Sequence, residues 1–422
     1  MVCRSQHRIH WLVAGLLLSL PLFVHAQSVV PTAPGGTEPV STVNASSAGT
    51  GSADTAEQAK PWWKTISFDA FASGAFTYNP NDPDSGKNQY RVFDFTANAP
   101  ELDVVELVLQ RPVAKRNDFG FRVDFAAGYS IPPVIASYGF FRNMQTGQAQ
   151  HIDIPQLFAS YIVPLGKGLR IDAGKFVTPM GYEVIEGYDS YNANYSHSFL
   201  FGYAMPFTNT GVKVSYAFDS KLSAMLMVAN GWDTVDSVNT VRTLGGQFSY
   251  APSAATNVSF NFIAGPEQRH DDNDWREVYE IVGTWKPRDR LTLGADGLFG
   301  REDNAIHLSS GQYQNAAWGG FAGYVRYAFP PRFALAFRAE AFDDSGGSRT
   351  GVSQVLKELT LTPEYKRDIP WSHLSRKLKF FDAACVVRSD IRADFSNQDV
   401  FQQEGHYRKL QFTTAVNVIY LF

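Results

Sequence analysis

Glu183, Glu186 and Asp189 lie close together in one stretch of the chain, interleaved with Tyr182, Tyr188, Tyr191 and Tyr195. Cations recur on one parity of alternating segments elsewhere: Arg122, Lys213, Arg326, Arg338, Arg388 and Arg392, with Asp124, Glu340, Asp390 and Asp394 beside them. Carboxylates on one side of a wet passage, facing cations on the other, would set a transverse field and sort ions without making a bond. The same groups could also pair with each other as salt bridges, and the two readings are compatible.

Covalent chemistry finds no comparable constellation. A hydrolase would need a Ser or Asp with a His partner, and His197-Ser198 reads as structural. His270, His307, His373 and His406 are scattered without ligand spacing, so neither a structural metal nor a cofactor is predicted. Asp82 and Asp84 lack the closing glutamate of a calcium loop, and Asp271, Asp272 and Asp274 read as a solvated turn. Gly245-Gly246 and Gly319-Gly320 fall in strand-like runs and not in phosphate loops.

The elements that position these residues follow from composition and period. The chain has 422 residues, 18% charged and 14% aromatic, with 37 Lys plus Arg against 41 Asp plus Glu. A formal charge of -4 leaves no footprint for nucleic acid. Two cysteines, Cys3 and Cys385, exclude a disulfide framework, and a mean hydropathy of -0.19 excludes a bundle of membrane helices. Arg4, His7 and Arg8 precede an apolar run from Trp11 to Val24, and Val24-His25-Ala26 offers a cleavage site. Residues 1–26 therefore read as a secretory signal peptide. Residues 27–63 read as a flexible periplasmic leader, too poor in large apolar side chains to order themselves until Trp62 and Trp63.

From 64 to 422 apolar residues alternate with polar or small ones. Phe119, Phe121, Val123 and Phe125 oppose Gly120, Arg122 and Asp124; Leu335, Phe337, Ala339 and Ala341 oppose Ala334, Ala336, Arg338 and Glu340. Sixteen strands are predicted, within a range of about fourteen to eighteen. They run over 65–78, 101–112, 118–129, 153–163, 169–177, 209–218, 222–231, 243–251, 256–265, 275–286, 291–300, 315–329, 333–342, 353–366, 378–394 and 406–422. Connections alternate long and short, with 79–100, 130–152, 178–208 and 301–314 among the long ones. The fold class is all-β: a transmembrane antiparallel up-and-down barrel with short periplasmic turns and long extracellular loops. Aromatics beside the short turns, Tyr216, Phe218, Trp285, Tyr327 and Phe329, fit an interfacial girdle. The terminal Phe422, in phase with Val416, Val418 and Tyr420, fits a signal to the barrel-assembly machinery. Lys175 is out of phase with Arg170 and Asp172; a bulge or snorkelling at the membrane edge would account for it.

The runs Gly174-Lys175-Phe176-Val177-Thr178-Pro179-Met180-Gly181-Tyr182-Glu183 and Tyr191-Asn192-Ala193-Asn194-Tyr195-Ser196-His197-Ser198, with Arg91-Val92-Phe93-Asp94 and Leu109 to Asp124, resemble the OmpL-like porin-2 group of outer-membrane barrels. The resemblance covers about 66–265 and implies a passive diffusion channel for small hydrophilic solutes or ions in a bacterial outer membrane. By analogy with general porins, segment 178–208 would fold into the pore, and the assembly would be a homotrimer among lipid and lipopolysaccharide. An external, solvated loop is the alternative placement of 178–208. A closed barrel serving as adhesin or anchor, or a substrate-selective channel, are the alternative functions.

Overall fold

The computed structural model describes residues 61–131, 136–237, 239–370 and 382–421. The expected signal peptide, the leader up to residue 60, His373 and Phe422 lie outside them. Trp62–Thr65 form a 3-10 turn with both tryptophans exposed.

Period-two alternation folds as a strand because successive side chains point to opposite faces. The chain uses it sixteen times: β1 (Ser67–Tyr78), β2 (Pro100–Arg111), β3 (Phe119–Ala127), β4 (Leu157–Val163), β5 (Leu169–Val177), β6 (Thr208–Ala217), β7 (Leu222–Ala229), β8 (Thr243–Ser253), β9 (Thr256–Pro266), β10 (Trp275–Arg288), β11 (Leu291–His307), β12 (Tyr313–Phe329), β13 (Phe333–Asp344), β14 (Gln354–Pro370), β15 (Asp382–Ser396) and β16 (Leu410–Leu421). Each pairs antiparallel with its sequence neighbour, and β1 pairs with both β2 and β16, so the sheet closes without an edge.

Polarity is inverted relative to a soluble domain. Outward positions expose apolar side chains, Leu226 at 64% and Ile281 at 59%, whereas Arg388 and Arg392 on the inner face are at 0%. No described helix is long and apolar enough to cross a membrane; the strands do so. Tight connections at one end, 218–221, 254–255, 289–290 and 330–332, have the expected aromatics beside them. Tyr216 packs against Phe218 at 5.2 Å, and Tyr327 against Phe329 at 4.7 Å. The other end carries 79–99, 128–156, 178–207 and 230–242.

Several boundaries differ from the sequence reading; the strand expected over 406–422, for one, starts at Leu410, because His406–Arg408 pairs with Phe401–Gln403 in a separate hairpin. The expected loop 301–314 shrinks to 308–312, because β11 and β12 continue pairing beyond a register shift between Glu302 and Ile306. Asn304, at φ +51°, takes up the irregularity. Polar residues there mark a hairpin above the apolar band and not the end of pairing. The single strand expected over 153–163 is split into Ile152–Asp153 and β4. Pro155 has no N–H to give the ladder, and the Gln156 carbonyl instead accepts from Asp124 N at 2.9 Å.

The inverted polarity makes a graded prediction. Phe337→Arg, at the middle of β13, should destabilise the barrel by about 2–4 kcal/mol, and Phe333→Arg at the short-turn rim by about 0–1 kcal/mol. Urea-gel mobility shifts of refolded protein measure both; equal effects would contradict the assigned membrane depth.

Candidate functional site

The segment 178–207 leaves β5, enters the barrel and returns to β6. Its route begins at Gly174, at φ +138°, where a Cβ would sit 2.1 Å from the Leu157 carbonyl oxygen. The break in alternation turns Lys175 away from lipid, and its Nζ meets Asp153 at 2.6 Å. Gly181, at φ +101°, donates its N–H to Glu280 at 2.8 Å, and Tyr182 donates its N–H to Asp296 at 3.0 Å. The Tyr182 ring lies against the Gly294 backbone and stacks on Tyr324 at 4.1 Å.

All three predicted loop acids reach wall arginines. Glu183 meets Arg338 at 2.8 Å, Glu186 meets Arg388 at 2.7 Å, and Asp189 meets Arg122 at 2.5 Å. Arg338 also binds Glu358 at 2.6 Å, Arg122 binds Asp124 at 2.8 Å, and Arg392 binds Asp394 at 2.7 Å. Lys213 lies 3.7 Å from Asp172 and over the Phe176 ring, and Arg326 meets Glu364 at 2.7 Å.

The segment contains one short helix, α1 (Phe199–Ala204), so most of its backbone has no ladder partner. Wall side chains stand in for one. Glu340 accepts from Phe199 N at 2.5 Å and Leu200 N at 3.0 Å; Asp390 accepts from Ser196 N at 2.7 Å; Glu106 accepts from Tyr188 N at 2.7 Å. The carbonyls of Asn192, Ser196 and His197 accept from Arg388, Arg338 and Arg392, each at 2.5 Å. Ser198 caps α1 by accepting from Phe201 N, and the His197 Nε2 lies 3.1 Å from the Val184 carbonyl oxygen.

The first long connection also enters the lumen, which the sequence reading missed. Arg91 ion-pairs with Asp94 and with Asp394, and Phe93 stacks on His197 at 3.9 Å. The Arg91-Val92-Phe93-Asp94 run held the signal: a charge pair around two apolar residues in a connection is unlike a solvated turn.

The electrostatic expectation therefore changes form. Loop acids and wall arginines touch, where a transverse field would have held them apart across water. Glu183, Glu340, Arg338, Arg388 and Arg392 are all buried. Water access is kept by Arg170, Lys213 and Arg326, with side chains 26%, 22% and 29% exposed. A small recess of about 20 Å³ lies between loop and wall, lined by Tyr182, Asn194, Thr292, Tyr324 and Arg326. Among the described residues no cluster of His, Cys, Asp and Glu has the arrangement of a metal site. Asp271 and Asp272 cap turns instead, and the backbone N–H of Asn273 and the hydroxyl of Thr240 hold their carboxyls below the usual range.

A family described as "Putative beta-barrel porin-2, OmpL-like" matches residues 65–422. No curated protein matches the chain. In structure the chain is similar to the outer membrane channel DcaP of Acinetobacter baumannii, at 9% identity and a TM-score of 0.53, covering 85% of this chain and 97% of that one. It is also similar to an anion-selective porin from Comamonas acidovorans, at 9% identity and a TM-score of 0.55, covering 85% and 99%. Pseudomonas putida OprB aligns at 10% identity and a TM-score of 0.53, covering 85% and 95%. At these identities the likeness is one of fold.

Two predictions follow from the packing of the segment. Glu186→Gln leaves the buried Arg388 without its bonded acid and should cost about 3–5 kcal/mol. Asp189→Asn, at a side chain 45% exposed, should cost less than about 1 kcal/mol. Protease nicking within 178–207 reports both, and the reverse order would refute the anchoring of the segment by its buried pairs. Burial brings the His197 imidazole down to about 4, against the pull of Glu186. Between pH 6.5 and 4 a released His197 gains a proton that the buried one refuses. For its part His197 should therefore weaken insertion by up to about 3 kcal/mol over that window and contribute nothing above it. His197→Gln should flatten the acid dependence of nicking.

Proposed function

The chain belongs to the OmpL-like porin-2 family and is an outer-membrane channel for solute diffusion, and on that premise we propose that segment 178–207 forms its constriction and that the water-exposed wall cations set its ion preference. The observation that carries this is the division between buried and exposed charge. Buried pairs such as Glu183–Arg338 are shielded from water as well as paired, so little of their field reaches a passing ion. Arg170, Lys213 and Arg326 lie toward the short-turn end and keep contact with water, while Asp172 and Glu364 beside them are buried. Half-buried Ser215, Ser223, Gln247, Ser249, Thr284 and Thr292 share the inner face there. Such a lining suits small hydrophilic solutes and ions.

In this reading the long connections face outward from the cell and the tight turns face the periplasm. The apolar belt takes outer-membrane lipid and lipopolysaccharide as its surroundings. Export through a signal peptide cleaved after residue 26, delivery to the assembly machinery through Phe422, and a homotrimeric assembly belong to the same proposal. Family membership argues for a channel and against an enzyme.

Single-channel recording in planar bilayers under a salt gradient tests the assignment. Discrete ohmic steps are expected. Lys213→Gln with Arg326→Gln should move the reversal potential toward cation preference. Neutralising Glu183, Glu186 and Asp189 together should enlarge the conductance step more than it moves the reversal potential. A larger shift from the loop acids than from the wall cations would overturn the assignment. No steps from a folded, heat-modifiable barrel would favour a closed barrel that presents its loops.

A further inference from the structure

At the long-loop mouth, away from the latched acids, two guanidinium groups flank one indole. Arg276, at the start of β10, lies 4.7 Å from the Trp232 ring centre. Arg349, from the connection after β13, lies 5.3 Å from the same ring and 5.0 Å from Trp318. Arg349 is held from behind, because its Nε donates to the Tyr203 carbonyl at 2.7 Å. Arg276 is held by Glu302, which accepts from Nε and Nη2 at 2.9 Å each.

The remaining carboxylates near these two arginines are turned toward other donors. Asp344 accepts from Thr350 N at 2.6 Å and from Arg349's own backbone N at 3.1 Å. Asp233 accepts from Phe207 N and Thr208 N at 2.8 Å. Glu267 accepts from Trp232 N at 2.9 Å and from the Thr243 hydroxyl at 2.7 Å. Among the described residues the terminal nitrogens of Arg349 meet no carboxylate. The indole N–H of Trp232, a residue more than nine-tenths buried, also has no acceptor. A guanidinium carries five N–H donors, and a buried N–H without a partner is costly, so such a cluster favours an acceptor from outside the chain.

We propose that Arg349, Arg276 and the Trp232 N–H form a binding site for a small oxyanion, a carboxylate or phosphate group on a solute entering the mouth. Planar guanidinium groups match the paired oxygens of such anions, whereas a spherical halide uses one donor direction at a time. The flanking indoles fix the guanidinium planes before the solute arrives. Burial, and after it the nearby Arg276, bring Arg349 down to about 10, which leaves it charged at neutral pH. The inference rests on the channel reading only for which side the mouth faces.

The test is tryptophan fluorescence of the refolded full chain in detergent, titrated with inorganic phosphate at constant ionic strength set with chloride. A saturable change is expected. Arg349→Gln should weaken it about tenfold or more. Glu302→Gln frees Arg276 and should tighten it several-fold, which keeps a readout if Arg349→Gln does not fold. A change that does not saturate, or one that is the same in all three proteins, would overturn the site. Binding is read here without conduction, so saturable binding to a barrel that passes no current would support the site while removing the proposed constriction.

Discussion

A chain segment inside a barrel cannot leave its backbone N–H and C=O groups unpaired, and this constraint organises the lumen. A strand answers it with its neighbours, but residues 178–207 have only the single turn of α1. The wall supplies what is missing. Carboxylates of Glu106, Glu280, Asp296, Glu340 and Asp390 receive the amides of the segment, and Arg338, Arg388 and Arg392 donate to its carbonyls. The three arginines each also meet a carboxylate, so their own charge is closed within the network. That closure is what allows three arginines to be fully shielded from water without stranding their charge.

The same closure separates two jobs that the charged residues could do. Groups engaged by the inserted segments position backbone and have little field to spare. Groups at the short-turn end, with less of the chain over them, still face water. A lumen can thus be rich in arginine and glutamate and yet have its ion preference controlled by a few residues that are not the most buried. Position in depth decides the role, because a charge that water does not reach has no passing ion near enough to act on.

Much of this architecture was legible in the chain. Alternation gave the strands, their inner and outer faces and the closing of the ring, because a strand repeats every two residues whatever surrounds it. The side chains of Arg122, Arg338, Arg388 and Arg392 lie on the inner face that parity assigns them, and the run from Tyr182 to Asp189 sits on the segment that enters the lumen. The departures have local causes. Gly174 resets the phase before Lys175, Pro155 interrupts a ladder, and Asn304 carries a bulge past which pairing resumes. The pairing of acids with arginines was legible as residue types and not as geometry. Whether opposite charges touch or face each other across water depends on how deep the segment sits, and no spacing within 178–208 encodes that depth. The inward course of Arg91 to Asp94 was hidden for a related reason: its partner Asp394 lies at the far end of the chain, and only barrel closure brings the two together.

Buried ion pairs are poor sources of stability, since desolvation offsets most of the attraction, and apolar replacements of similar volume often serve as well or better. An apolar filling would hold segment 178–207 in the lumen, yet it could not distinguish one register of that segment from the next. Charged partners can. Glu183 fits Arg338 and Glu186 fits Arg388 only when the intervening backbone also offers the Ser196 and Asn192 carbonyls to the same guanidinium groups. A slip of one residue would leave several buried charges unpaired at once, each at a cost of several kcal/mol. The network therefore contributes definition more than strength: it fixes where the segment stops and, on the proposed function, how wide an opening remains beside it.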